Sequence, residues 1–216
     1  MESAEIDITI PGRNIPVLAE YTDEQLLTSF RSGDEQAFTQ LVRRYEKRLY
    51  NYLLRFLGRP TWAEDVFQET FLQVHISVAS FDPNRRFRPW LYTIATNKAR
   101  DYLRSSARRH VIHLTTLDDD TGSNQLWDQL MTEETTAYDI LDLKEQKELV
   151  RKVVEQLPDH LRQILILAYF EQLSYKEMAD ILEIPLGTVK SRLHAAVANF
   201  TKRYNELTCP KERNGL

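Results

Sequence analysis

The sequence predicts an all-α protein made of two small helical domains, a helical bundle and a helix-turn-helix, joined by an acidic linker. Three observations carry that prediction. Apolar residues recur at the i, i+3, i+4 spacing of amphipathic helices along most of the chain. Only six glycines occur in 216 residues, and no segment reads convincingly as a strand. A polar, acid-rich stretch over 109–139 interrupts the helical period and divides the chain.

Taken in order, residues 1–20 contain Pro11, Gly12 and Pro16, show no sustained period and read as a flexible N-terminal arm. Thr22 with Gln25 forms a capping box that starts the first helix, which ends at Ser32-Gly33. Asp34 caps the second, whose apolar face holds Phe38, Leu41, Tyr45, Leu49, Tyr52, Leu53 and Phe56; Gly58 and Pro60 stop it. Thr61 with Glu64 predicts a second capping box, ahead of Val66, Phe67, Thr70, Phe71 and Val74 on one side. Asp82-Pro83-Asn84 is turn chemistry. Pro89 suits the first turn of the next helix, which carries Trp90, Leu91, Ile94, Ala95, Tyr102 and Leu103 and fades after Arg108. These elements make 21–108 the first domain.

Beyond the linker, helical period resumes near Ile140 and continues through Leu143, Leu149, Val153 and Val154. Pro158 restarts the chain into a helix over 160–170. Ser174 with Glu177 caps a third helix, and a fourth follows Thr188. The second domain is 140–207, with a tail over 208–216.

Composition bounds the function. Charged residues are 28% and hydrophobic residues 42%, enough for a packed core. The single cysteine, Cys209, excludes a disulfide framework within the chain. The first residues lack the basic start and apolar core of a signal peptide, and no run approaches the ~18 apolar residues of a spanning helix. The expected location is cytoplasmic, with no membrane insertion. Net charge is -4, but it is segregated. Arg85, Arg86, Arg88, Lys98, Arg100, Arg104, Arg108 and Arg109 face only Asp101 over 85–110, and an acidic block follows over 118–148. A basic block of this kind suggests a nucleic-acid face.

Three constellations carry chemistry. The strongest is SYKEMADILEIPLGTVKSRLHAAVANF. Ala179 suits a close helix crossing, Met178, Leu182, Ile184, Val189 and Leu193 seal the pair, Pro185-Leu186-Gly187 supplies a turn, and Thr188 caps the second helix. Such a helix can enter the major groove with Thr188, Lys190, Ser191, Arg192 and His194 foremost. The bland alternative is a helical hairpin with a solvated basic face. The second constellation interleaves Phe87, Trp90, Tyr92 and Tyr102 with Arg85, Arg86, Arg88, Lys98, Arg100 and Arg104. Aromatics stack on unpaired bases while Arg and Lys track phosphates. Asn97, seven residues after Trp90 on the same face, could read a base edge; equally, the aromatics could be core. The third places Asp65 and Glu69 at i, i+4, flanked by Gln68, as a polar docking face or simply a solvated one. No histidine or glycine loop accompanies these carboxylates, so no catalytic residue is expected. His110 and His113 lack a second ligand pair, so neither a metal nor a cofactor is expected.

The segments DEQAFTQLVRRYEKRLYNYLLRFLG, AEDVFQETFLQVH, FDPNRRFRPWLYTIATNKARDYLR and LPDHLRQILILAYFEQLSYKEMADILEIPLGTVKSRLH occur in that order. They resemble regions 2 and 4 of extracytoplasmic-function sigma factors, over roughly residues 22–108 and 140–205. The resemblance implies a transcription initiation factor and not an enzyme. It implies core RNA polymerase and promoter DNA as partners, with an anti-sigma factor as a further one. Asp65, Gln68 and Glu69 occupy positions that dock on a coiled coil of the polymerase largest subunit. The segment holding Arg85, Arg86, Phe87, Arg88, Trp90, Asn97, Lys98, Arg100 and Arg104 matches the reader of the -10 element. Thr188, Lys190, Ser191, Arg192 and His194 match the reader of the -35 element. The acidic linker resembles the connector that threads the RNA path. A stand-alone helix-turn-helix regulator is the second reading, and a metal-dependent nuclease using Asp65, Glu69 or the run Asp118-Asp119-Asp120 a remote third.

Overall fold

The computed structural model describes residues 18–82, 84–112 and 139–208; the sequence expectations for the arm before residue 18, the linker over 113–138, and the tail with Cys209 lie outside the described residues. Within them are eight α-helices and two short 3-10 turns, with no strand. The first half holds α1 (Asp23–Arg31), α2 (Glu35–Leu57), α3 (Pro60–Ser77) and α4 (Phe87–Ile112). The second holds α5 (Asp139–Glu155), α6 (Asp159–Tyr169), α7 (Tyr175–Leu182) and α8 (Leu186–Thr208).

Local chemistry explains most boundaries. Thr22 and Gln25 exchange hydrogen bonds at 2.8 and 3.2 Å, satisfying two backbone donors that a helix start leaves open. Asp34 Oδ1 accepts from the amides of Gln36 and Ala37. Gly58 adopts φ +77°, a left-handed conformation open to glycine, and its amide closes α2 on the Leu54 carbonyl. Ser174 and Glu177 form the capping box of α7 as expected.

Two starts, those of α3 and α8, differ from the sequence expectation. Thr61 caps nothing: α3 begins at Pro60, whose fixed φ suits a first helical residue, after Arg59. Helix α4 begins at Phe87, so Pro89 falls in its first turn as expected, and Glu24 of α1 accepts from the Phe87 amide at 2.9 Å. Thr188 lies within the first turn of α8, not at its cap. The turn comes earlier, at Glu183 (φ +54°) through Pro185, whose carbonyl accepts from the Thr188 and Val189 amides. The 3-10 turn over Leu18–Glu20 shortens the arm, and Leu18 packs on the core.

Helices α1 to α4 pack as a bundle around Leu26, Leu41, Leu49, Tyr52, Leu53, Phe56, Val66, Leu91 and Ala95. Fully burying one such leucine is worth about 1.5–3 kcal/mol, so Leu53→Ala is a severe change. Helices α5 to α8 bury Val153, Leu161, Ile164, Leu167, Met178, Ile181 and Val189. The apolar cluster continues from one half into the other. Helix α7 lies against α4, and α6 against α2.

Candidate functional site

Three surfaces correspond to the three sequence constellations. On α3, Asp65, Gln68 and Glu69 are all exposed. Helical geometry extends the stripe of Asp65 and Glu69 to Leu72 and Ile76, which are 60% and 66% exposed. The Tyr102 hydroxyl donates to Asp65 at 3.1 Å, and Lys98 Nζ lies 3.6 Å from Glu69. An exposed pair of this kind is worth at most about 1 kcal/mol, so Glu69 can exchange Lys98 for another cation. The sequence reading named the polar members and missed Leu72 and Ile76. Their signal was available: both are apolar yet out of phase with Val66, Thr70 and Val74, which α3 buries.

The second surface is the loop before α4 and the helix it starts. Asp82 shapes the loop by accepting from the Asn84 amide at 2.9 Å and, through its carbonyl, from Arg85. Arg85 and Arg86 are exposed above a cleft of about 440 Å³, which Asp23, Tyr45, Arg88 and Glu177 help to line. Phe87 corrects the sequence expectation. It is fully buried against Tyr45 and Phe81, so its ring belongs to the core and offers no stacking face. Tyr92 is likewise buried. Trp90 remains half-exposed, propped by Phe81 at 4.8 Å between ring centres. Asn97 is half-buried, with no side-chain hydrogen bond among the described residues. Lys98 is held by Glu69, and Arg104 is exposed beside Asp101.

The third surface is the α7–α8 pair. Lys190, Ser191 and His194 are exposed on the first half of α8, whereas Thr188 and Arg192 are half-buried. Ser191 donates to the Thr188 carbonyl, so its hydroxyl is partly committed to its own helix. The Glu177 carboxyl at the start of α7 is pushed up by burial, but hydrogen bonds from Ser174 and the nearby Arg88 and Arg86 outweigh this and leave it below its usual value. Among the described residues no group of His, Cys, Asp and Glu could hold a metal ion, and no helix is long and apolar enough to cross a membrane.

Comparison with known proteins addresses the same segments. Residues 41–109 match the family model Sigma-70 region 2, and residues 147–199 match Sigma-70, region 4. The chain is 32% identical over 177 residues to the ECF RNA polymerase sigma factor SigW of Bacillus subtilis, covering 82% of this chain and 94% of that one. It is 33% identical over 183 residues to the RNA polymerase sigma-H factor of Pseudomonas aeruginosa, covering 83% and 92%. The chain belongs to the extracytoplasmic-function sigma factors. Among solved structures, CnrH in complex with the cytosolic domain of CnrY is similar at 25% identity and a TM-score of 0.59, covering 83% of this chain and 95% of that one. The sigma factor RpoE of Bartonella quintana, solved with the anti-sigma factor NepR, shares the fold at 22% identity and a TM-score of 0.60, covering 82% and 99%.

In this sigma factor, regions 2 and 4 meet through polar side chains. Glu171, in the turn after α6, is 1% exposed. Its carboxylate accepts from Arg48 at 3.0 Å and from the Tyr92 hydroxyl at 2.5 Å. Its carbonyl accepts from Arg88 at 2.6 Å and from Arg48 at 3.0 Å. Gln163 of α6 accepts from Arg100 at 2.8 and 3.1 Å and donates to Tyr52, which pairs with Thr96. Arg55 lies over the Phe170 ring at 4.4 Å, and Arg86 lies 3.8 Å from Glu177. Burial holds the Arg100 guanidinium below its ordinary value, and the like charges of Arg104 and Arg192 push it the same way. No local pattern in the sequence marks Glu171 or Gln163, because every one of these partners lies in the other half.

Proposed function

We propose that this sigma factor binds core RNA polymerase and directs promoter-specific initiation, with region 4 reading the -35 duplex and region 2 opening and capturing the -10 element. The observation that carries the reading is the start of α8, where Lys190, Ser191 and His194 stand exposed on the second helix of a helix-turn-helix. Thr188 and Arg192 flank them. For the -10 element the supporting residues are Arg85, Arg86, Arg88, Trp90, Asn97, Lys98, Arg100 and Arg104. The Asp65, Gln68, Glu69, Leu72 and Ile76 stripe on α3 suits a basic polymerase element with an apolar seat.

Opening DNA costs on average about 1.4 kcal/mol of stacking per base-pair step. Stacking on Trp90, phosphate contacts and polymerase contacts offset that cost, so the mechanism calls on no catalytic residue and no cofactor. An anti-sigma factor is a further proposed partner, by similarity to the family. Run-off transcription with core polymerase, with start sites sequenced, tests the reading. Defined starts that require this protein support it. Binding to duplex DNA without any association with core polymerase on gel filtration would favour a stand-alone regulator instead.

A further inference from the structure

The side chains assigned to the -10 element are partly occupied within the molecule itself. The Glu171 carboxylate meets Arg48, Tyr92 and, at 3.7 Å, Arg88, all in region 2. Among the described residues it has no partner in its own domain, so its burial serves closure and not the folding of region 4. Gln163 holds Arg100 in the same way. The recognition helix is treated differently: Lys190, Ser191 and His194 remain exposed while the domains are closed.

We propose that Glu171 is an intramolecular latch that closes region 4 onto region 2, masking Arg88 and Arg100 from the -10 strand while leaving the -35 reading helix available. The inference rests on the DNA reading given above. Its physical basis is competition. A carboxylate on region 4 occupies an arginine that would otherwise meet a phosphate, and the Gln163 amide oxygen satisfies Arg100 as a nucleic-acid acceptor would. Buried ion pairs contribute little net stability, because water solvates both charges once they separate, so such a latch is reversible. The free protein therefore meets duplex DNA through region 4 with its strand-capturing face shut.

The test uses the full chain and two variants, Glu171→Ala and Arg48→Ala. Neither residue belongs to the DNA-binding set, and Arg48 is half-exposed, so helicity should be retained; circular dichroism checks this. Small-angle scattering reads closure. Fluorescence anisotropy reads binding to a pre-melted -10 bubble and, separately, to a -35 duplex, both from a promoter mapped by run-off transcription. The expected result is a larger radius of gyration and tighter bubble binding in both variants, with -35 duplex binding unchanged. If the open form is about a tenth of the free chain, unlatching raises apparent bubble affinity about tenfold. Unchanged compactness, or expansion without a gain on the bubble, overturns the latch. A third variant, Lys98→Ala, lies outside the latch and separates the two failures. If it leaves bubble binding unaltered, the DNA reading of region 2 is what has failed; if it weakens bubble binding while unlatching has no effect, only the latch is lost.

Discussion

The Tyr92 hydroxyl donates to the Glu171 carboxylate at 2.5 Å, joining α4 of region 2 to the turn after α6 of region 4. Burial, then the Glu171 charge and this hydrogen bond, raise the Tyr92 phenol well above its ordinary value of 10.0. Tyr45 is raised by burial and by Asp23, and Tyr52 by burial. A phenol whose folded value exceeds its unfolded one stabilises the fold fully below the unfolded value, and that stability is lost as pH rises above it. Denaturant unfolding should therefore weaken progressively above about pH 10. Tyr92→Phe should lower stability by about 1–2 kcal/mol at neutral pH and flatten part of the alkaline loss. An unchanged alkaline slope in the variant would show that the Tyr92 proton does not couple to folding.

At the other end of the pH scale, Glu177 combines a helix cap with an interdomain ion pair. Its folded value lies below the ordinary 4.5, so its stabilisation is complete above that pH and is lost as pH falls through the folded value. Glu177→Gln keeps the capping geometry and removes the charge. It should cost no more than about 1 kcal/mol near neutrality and reduce the acid dependence below pH 4.5. Urea unfolding followed from neutral to acid pH measures both.

For polymerase docking, Asp65→Lys with Glu69→Lys should weaken core binding by about tenfold or more while helicity is retained. Leu72→Ala should also weaken core binding, yet change stability by no more than about 0.5 kcal/mol because the side chain is exposed. A pull-down against core polymerase, with thermal unfolding alongside, checks the pair. Full binding in both variants would remove the α3 stripe from the docking surface.

On the -35 side, Lys190→Ala should reduce transcription from a -35-dependent promoter. A phosphate contact would weaken all sequences alike and lower the salt slope of binding by about one unit, whereas a base contact would relax preference at one position. Salt titrations on matched and mismatched duplexes tell these apart.

Asn97 is half-buried with no side-chain hydrogen bond among the described residues. Such an amide has little structural purpose within a helix, so Asn97→Ala should leave the melting temperature nearly unaltered and lose -10 discrimination, on an intact promoter and on a pre-melted bubble alike. If discrimination survives and the melting temperature falls, Asn97 is structural.

Much of the fold was legible before any coordinates. The Thr22–Gln25 and Ser174–Glu177 boxes, the Asp34 cap and the Gly58 stop depend on residues within a few positions of one another, and local sequence carries such information. Two expectations failed for local reasons, since Pro60 and not Thr61 opens α3 and the turn at Pro185 precedes Thr188 in α8; others failed because a distant residue decided them. Pro89 lies in the first turn of α4 as expected, and Glu24, 63 positions away, accepts from the Phe87 amide that opens the helix. Phe87 read as a stacking aromatic until Tyr45 and Phe81 closed over it. The exposed α3 stripe was half visible, because a charge pattern shows which residues are polar but not which apolar ones a bundle leaves outside.

By itself, then, the amino-acid sequence determined the helices, most of their caps and the order of regions 2 and 4, through short-range periodicity and hydrogen-bond chemistry. The tertiary structure alone decided which side chains of the two halves meet. Nothing in the local sequence marks Arg88 and Arg100, yet their side chains meet Glu171 and Gln163 across the domain boundary. That meeting arises from the packing of α6 and α7 on α2 and α4, which brings together groups 63 to 123 residues apart, a separation that no local pattern encodes.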